Sequence, residues 1–187
     1  MPGIDESRQF VPLKIAVLTV SDTRDLADDK SGSTLAERIG AAGHLLTERA
    51  IVKDEVDVIR QQVKTWIEDK SIDVIVTTGG TGFTGRDVTP EAIEPLFEKK
   101  MDGFAMLFLL VSYAKIGTSA IQTRATAGVA NATYIFCVPG SPGACKDAWD
   151  EILVHQLDYR YLPCNFVEIL PRLDEHLRRE KAKGATI

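Results

Sequence analysis

The sequence predicts an α/β fold built on a mostly parallel, doubly wound sheet, and three observations carry that prediction. Lys14 to Val20, Ile72 to Thr78 and Ala132 to Val138 are nearly continuous apolar runs rich in β-branched residues, the pattern of strands covered on both faces. Amphipathic helical stretches alternate with them through short connections. Loops rich in glycine follow two of the runs, and open parallel sheets gather their ligands at the carboxyl ends of strands. A chain of 187 residues can bury a substantial core as one domain.

Taken in order, residues 1 to 11 are polar and irregular and read as an arm. The run Lys14 to Val20 ends at Ser21-Asp22, and an acidic, turn-rich stretch continues to Lys30. Ser31-Gly32-Ser33-Thr34 is expected to start a helix, with Thr34 and Glu37 spaced as a capping box, Leu35 and Ile39 on one face, and Gly43 beyond its end. Leu45 to Val52 mixes polar and apolar residues, which puts this strand toward the sheet edge. In the next helix Val56, Ile59, Val63, Trp66 and Ile67 share one stripe. Asp54 precedes it and is either its N-cap or a functional acid.

After Ile72 to Thr78 comes a glycine-rich loop, Thr77 to Pro90, in which Thr78, Gly79, Gly80, Thr81 and Gly82 are followed by Arg86-Asp87. Glycines after a strand let backbone approach a ligand and turn N–H groups toward an anion, so the loop reads as a phosphate site. Asp87 beside it suits a magnesium ion shared with a phosphate. The loop lacks the Gly-Lys-Ser/Thr ending of a Walker site. Gly80, Gly82 and Gly85 fit the dinucleotide fingerprint, but the helix opens late and no acid stands at a following strand end. Thr89, Pro90 and Glu91 then predict an N-cap and first turn for a helix reaching about Glu98.

Met101 to Lys115 is apolar nearly all round, which predicts a buried helix, part of it meeting another subunit in a homo-oligomer. Thr118 to Gly128 is open between an irregular strand and a hairpin arm. Ala132 to Val138 leads into Pro139-Gly140-Ser141-Pro142-Gly143, a second loop opening a helix that carries Cys145, Trp149, Ile152 and Leu153 toward the core. Ser141 does not suit an esterase nucleophile, since Pro139 stands where that motif needs glycine. Tyr159 to Leu170 reads as an edge strand or an extended arm. From Pro171 the chain is charged, with Leu173 and Leu177 spaced for a weak helix.

The net charge of -5 argues against nucleic acid as a partner. Phe104 to Val111, the longest apolar run, is too short to span a bilayer, and the first residues have no signal-peptide character. A cytoplasmic protein with no membrane partner is therefore expected. Three cysteines without a C-x-x-C pair and three scattered histidines indicate neither disulfides nor a zinc site.

Val20-Ser21-Asp22, the loop Thr77 to Pro90, Ile116 to Gly128 with Thr123-Arg124 in it, and Pro139-Gly140-Ser141-Pro142 together resemble the MoaB/MogA family of molybdenum cofactor biosynthesis proteins. Ile116-Gly117-Thr118-Ser119, the Ala-Gly-Val-Ala-Asn run at 127 to 131 and Leu162-Pro163-Cys164-Asn165 look like its MoaB branch. The likeness covers about residues 12 to 166, the expected molybdopterin-binding domain, and leaves aside the arm and a charged tail at 167 to 187.

The resemblance implies a three-layer α/β/α domain assembling as trimers or hexamers, with molybdopterin and ATP as substrates, Mg2+ as cofactor, and other pathway proteins as partners. It implies transfer of AMP to the terminal phosphate of molybdopterin with release of pyrophosphate, or alternatively a binding protein of the same pathway without turnover. The two catalytic aspartates of active members fall on Asp54 and Asp87, expected here to hold magnesium. Ser21, Asp22, Thr78, Gly79, Gly80, Thr81, Gly82, Thr123, Arg124, Pro139, Gly140 and Ser141 are the expected ligand contacts, with N–H groups of Gly79, Gly80 and Gly82 on phosphate and Arg124 on the pterin side. Active members often carry Ser-Arg where this chain has Thr123-Arg124.

Overall fold

The computed structural model describes residues 2–176 and 178. The short strand β1 (Gly3–Ile4) precedes β2 (Lys14–Val20), α1 (Lys30–Ala41), β3 (Leu45–Val52), α2 (Val56–Glu68) and β4 (Val74–Thr78). Next come α3 (Thr89–Ile93), β5 (Lys99–Lys100), α4 (Asp102–Ile116), β6 (Thr126–Ala130) and β7 (Thr133–Val138). The chain continues through α5 (Pro142–Ala148), α6 (Val154–Gln156), β8 (Tyr161–Leu162) and α7 (Phe166–Ile169). Six strands form one sheet in the order β3-β2-β4-β7-β6-β5, parallel from β3 to β7, with β6 antiparallel to both its neighbours. β3 lies at an edge, as its mixed composition suggests.

Alternate strand residues feed two cores, because successive side chains leave a strand on opposite faces. Ile15, Val17, Val74, Val76 and Phe136 meet Leu35 and Ile39 of α1, Phe104 and Phe108 of α4, and Trp149. Ala16, Leu18, Val20, Ile75 and Ile135 face the other way, onto Ile59, Val63 and Trp66 of α2 and Ile93 of α3. A sheet between two helical layers results, the three-layer α/β/α arrangement.

Local chemistry departs from expectation at several helix ends. Asp29 caps α1, accepting the Gly32 N–H at 2.9 Å, and the Thr34–Glu37 capping box does not form. Thr34 instead donates its hydroxyl to the Lys30 carbonyl. Glu55, without a side-chain bond, occupies the N-cap of α2, so Asp54 is not a cap. Thr89 is already helical, and α3 tightens after Ile93 into a 3-10 turn, Glu94–Leu96, where Pro95 lacks the N–H an α-helix needs.

Within the single chain α4 is not fully buried: Phe104, Phe108 and Ser112 are, while Met106, Leu110, Tyr113 and Ile116 are more than half exposed. With the 3-10 turn that continues it, Asp102–Gln122 is long and apolar enough to cross a membrane by length and composition. Its flanks argue otherwise, because β5 and β6 pair with each other in the same sheet and bring both ends back to one place. The stretch left open at 118 to 128 is that 3-10 turn, Gly117–Gln122, followed by β6.

β8 pairs antiparallel with β1, so the N-terminal arm is docked. Packing continues beyond residue 166: Val167 is buried in the first core and Leu170 and Leu173 lie against it. Leu177 and residues 179–187 of the expected tail lie outside the described residues. Cys137 and Cys145 are buried free thiols, pushed by burial up to about 12 and about 11, which suits packing residues. Cys164 is exposed.

Candidate functional site

β2, β3, β4 and β7 run parallel side by side, so the segments that leave them emerge along one edge of the sheet. There they enclose a cleft of about 450 Å³. Ser21 enters from the end of β2, Asp54 from β3, Gly79 to Gly82 and Asp87 from β4, and Pro139, Gly140 and Ser141 from β7. Thr123 joins them from the approach to β6.

The glycines are required by contact and by backbone angle. Gly79 has φ +103, and a Cβ there would sit 2.2 Å from the Val20 carbonyl oxygen. Gly80 has φ +63, and its Cβ would meet Thr89 Oγ1 at 2.4 Å and Asp54 Oδ1 at 2.9 Å. The Thr89 hydroxyl donates to the Gly79 carbonyl at 2.8 Å and the Thr89 N–H to the Gly80 carbonyl at 2.9 Å, which fixes the loop on α3. The Gly79 N–H donates to the Val138 carbonyl at 3.1 Å, so it does not join the expected phosphate cradle.

The two aspartates differ in environment. Burial raises the Asp87 carboxyl, but bonds from the Thr84 hydroxyl and N–H and from Gly82, with Arg124 nearby, outweigh it and hold it below the usual range. The Asp54 carboxylate is approached by the Asp22 N–H, and no side-chain hydrogen bond or ion pair among the described residues is formed by it. Burial, then the neighbouring Asp22 and Asp87, push Asp54 above the usual carboxylate range against the pull of Arg86. That electrostatic strain is what a cation would relieve. No three His, Cys, Asp or Glu side chains among the described residues form a preformed metal cage. Two carboxylates completed by phosphate oxygens are nevertheless the usual provision for magnesium, and Asp54 with Asp87 fits it.

Three expected contacts stand off the cleft. Asp22 grips Arg86 in a bidentate pair, Oδ1 to Nη2 at 2.8 Å and Oδ2 to Nε at 2.9 Å, which lowers its pKa. Thr78 is buried beneath the floor and donates its hydroxyl to the Pro139 carbonyl at 2.9 Å. Arg124 lies behind the glycine loop, donating to the carbonyls of Gly82 at 2.8 Å and Asp87 at 2.7 Å and pairing with Glu91. Its guanidinium braces the loop. Ser21 lines the cleft but also accepts the N–H groups of Thr23 and Arg24, and Ser141 caps α5 through the Ala144 N–H. The Thr123 hydroxyl is buried without a partner among the described residues.

Thr23, Arg24, Arg86 and Gln122 also line the cleft and were not among the expected contacts. The available signal for the arginines was position: Arg24 follows Ser-Asp at the carboxyl end of a parallel strand, and Arg86 precedes Asp87.

With the geometry in place, residues 16–159 match the family described as "Probable molybdopterin binding domain". The chain is 48% identical over 160 residues to "Molybdenum cofactor biosynthesis protein B" of Escherichia coli (strain K12), covering 86% of this chain and 94% of that one. A crystal structure of a molybdenum cofactor biosynthesis protein B superposes with a TM-score of 0.78 at 39% identity, over 80% of this chain and 94% of the other. The "tungsten cofactor synthesizing protein MoaB" from Pyrococcus furiosus gives a TM-score of 0.65 at 34% identity, over 76% and 91%.

Proposed function

The chain belongs to the molybdopterin-binding domain family, and from that premise we propose that it serves molybdenum cofactor biosynthesis by transferring AMP from Mg-ATP to the terminal phosphate of molybdopterin. The observation that carries the reading is that Asp54 and Asp87, distant in sequence and on different strands' ends, line one cleft with the glycine loop.

In this reading the pterin phosphate oxygen attacks the α-phosphorus of ATP, the bond from that phosphorus to the bridging oxygen breaks, and pyrophosphate leaves with the electron pair. Asp54 and Asp87 would hold magnesium, which when bound neutralises triphosphate charge and makes the α-phosphorus more electrophilic. The chain's own task is alignment. Gly80 lets backbone reach the phosphates, and Arg124 and Thr89 keep the loop in its shape. Gly140 closes against Gly79, where an added Cβ would meet the Gly79 Cα at 3.0 Å, so the two loops share one floor. The reading includes a homo-oligomer of three or six chains, supported by the exposed apolar face of α4.

The test is pyrophosphate release with molybdopterin, ATP and magnesium by the wild type and by Asp54→Asn. Asp54 is the better position to change, since among the described residues its carboxylate takes no side-chain bond, whereas that of Asp87 takes both the hydroxyl and the N–H of Thr84. Release should fall about 100-fold, the scale of losing one transition-state electrostatic contact. Unchanged release in Asp54→Asn would remove Asp54 from the chemistry. Molybdopterin binding without release by the wild type would leave a carrier.

A further inference from the structure

The cleft holds two arginines, and they are not in the same state. Arg86 spends the Nε–Nη2 edge of its guanidinium on the Asp22 carboxylate. Elsewhere in the fold Arg38 uses the same edge on Asp150, at 2.8 and 2.9 Å. That edge presents two parallel N–H groups spaced to match the two oxygens of a carboxylate or phosphate. Arg24 is half-buried and lines the cleft, yet it meets only neutral oxygens. Nη1 donates to the Ser31 hydroxyl at 2.8 Å, and Nη1 and Nη2 together donate to the Gly140 carbonyl at 3.2 Å each. Those bonds occupy the end of the guanidinium. They leave the Nε–H and the second Nη2–H, the parallel pair, without an acceptor among the described residues.

The anchoring matters as much as the open edge. Ser31 and Gly140 come from the start of α1 and the loop after β7, so they hold the guanidinium from two sides and fix its plane in advance. A cation so held, with no carboxylate within ion-pair distance among the described residues, keeps its charge for a ligand. Asp54 and Asp87 give other walls of the same cleft a negative lining. The cleft is thus divided into a part suited to a cation and a part suited to an oxyanion.

We propose that Arg24 is a ligand-binding residue whose Nε–Nη2 edge grips a phosphate group of the substrate bidentately, on the Gly140 side of the cleft. This assignment rests on the phosphate-bearing substrates of the proposed function, though not on their turnover. The phosphate has two possible sources, the nucleotide and the terminal phosphate monoester of molybdopterin.

Separate calorimetric titrations of Mg-ATP and of molybdopterin into wild type, Arg24→Gln and Arg24→Lys test the assignment. Arg24→Gln, whose amide can still donate to the Gly140 carbonyl, should lose about 10-fold to 100-fold in affinity for the ligand whose phosphate the edge grips. Loss for Mg-ATP alone identifies the nucleotide as the source, and loss for molybdopterin alone identifies the pterin. Arg24→Lys keeps the charge but has no parallel donors, and should recover part of the affinity only. Affinities for both ligands within about threefold of wild type in Arg24→Gln overturn the assignment. So does full recovery by lysine, which would reduce Arg24 to a support for the Gly140 carbonyl. If Arg24→Gln does not fold, Arg24→Lys decides: wild-type affinity overturns the assignment and about a tenfold loss upholds it. A wild type that binds neither ligand overturns it together with the proposed function. Binding without pyrophosphate release removes only the transfer step.

Discussion

Asp29 is 1% exposed and accepts four hydrogen bonds, from the Thr19 hydroxyl at 2.7 Å, the Gly32 N–H and Arg49 Nη2 at 2.9 Å, and the Ser31 hydroxyl at 3.2 Å. Burial drives its carboxyl pKa up, and these bonds together reverse the effect and hold it below the usual range. A carboxyl depressed on folding contributes stability that is present above its unfolded value, about 4, and is lost as pH falls through the folded value. Asp29→Asn keeps a competent N-cap but leaves the Arg49 charge unpaired, at a cost of about 3–5 kcal/mol at pH 7. Urea unfolding at pH 7 and pH 3 should show the gap between variant and wild type narrowing at the lower pH. An equal gap at both would mean that the charge is not what matters. The sequence offers no sign of this network: Asp29 lies in a run of acids, and its partners come from β2, β3 and α1, which only the tertiary fold brings together. Arg124 was hidden for the same reason, since its role depends on where Glu91 and two loop carbonyls come to rest.

Among the elements, α4 shows where pattern reading succeeds and where it stops. A helix without a polar face reads as fully buried, and the single chain buries only one side of it, because the pattern cannot say what covers the rest. The fold covers one side, through Phe104 and Phe108, and leaves Met106, Leu110 and Tyr113 outward at 67%, 66% and 59% exposure. Leu109, Leu110, Tyr113 and Ile121 line an apolar groove of about 360 Å³ on that side. If chains associate there, Met106→Glu with Leu110→Glu puts two charges into the contact, and each desolvated charge costs several kcal/mol. Sedimentation should then move from a trimer or hexamer to the monomer while the circular dichroism of the fold is kept. A doubly substituted protein that sediments with the wild type would place the subunit contact elsewhere. The strands tell the converse story. Burial on both faces follows from helices on both sides, so nearly continuous apolar runs sufficed to identify β2, β4 and β7, and β3 betrayed its edge position by the polar residues in Leu45–Val52, whereas the short β5 and the small-residue β6 carried no such pattern.

At the scale of the whole molecule the parallel strands give the protein two unlike ends. The carboxyl ends of β2, β3, β4 and β7 gather the cleft, which is why Asp22, Asp54 and the glycine loop, each following a strand, could be assigned to one edge from the sequence, although Asp22 turns to Arg86 and does not line the cleft. Which donors remain open in that cleft depends on hydrogen bonds no spacing reveals, as with the Gly79 N–H and Arg24. The amino ends are closed by the N-terminal arm. Phe10 packs on His44, which precedes β3, with ring centroids 5.1 Å apart, and the Arg160 guanidinium lies over the Phe10 ring, 5.2 Å from its centroid. Arg8 stands 5.2 Å over Tyr159, and β1 pairs with β8. Deleting residues 2–10 removes all of these contacts, of which the two cation–π contacts and the aromatic pair alone are worth about 2 kcal/mol. For a chain of this size that lowers the melting temperature by about 4–8 °C. The cleft lies at the opposite ends of the strands, so the affinity for Mg-ATP measured by calorimetry should stay at the wild-type value. A shortened chain that melts lower and also binds Mg-ATP more weakly would mean that the arm acts on the cleft across the sheet or from a neighbouring subunit. A chain that melts lower with binding intact would establish the arm as a clasp on the end of the sheet away from the chemistry.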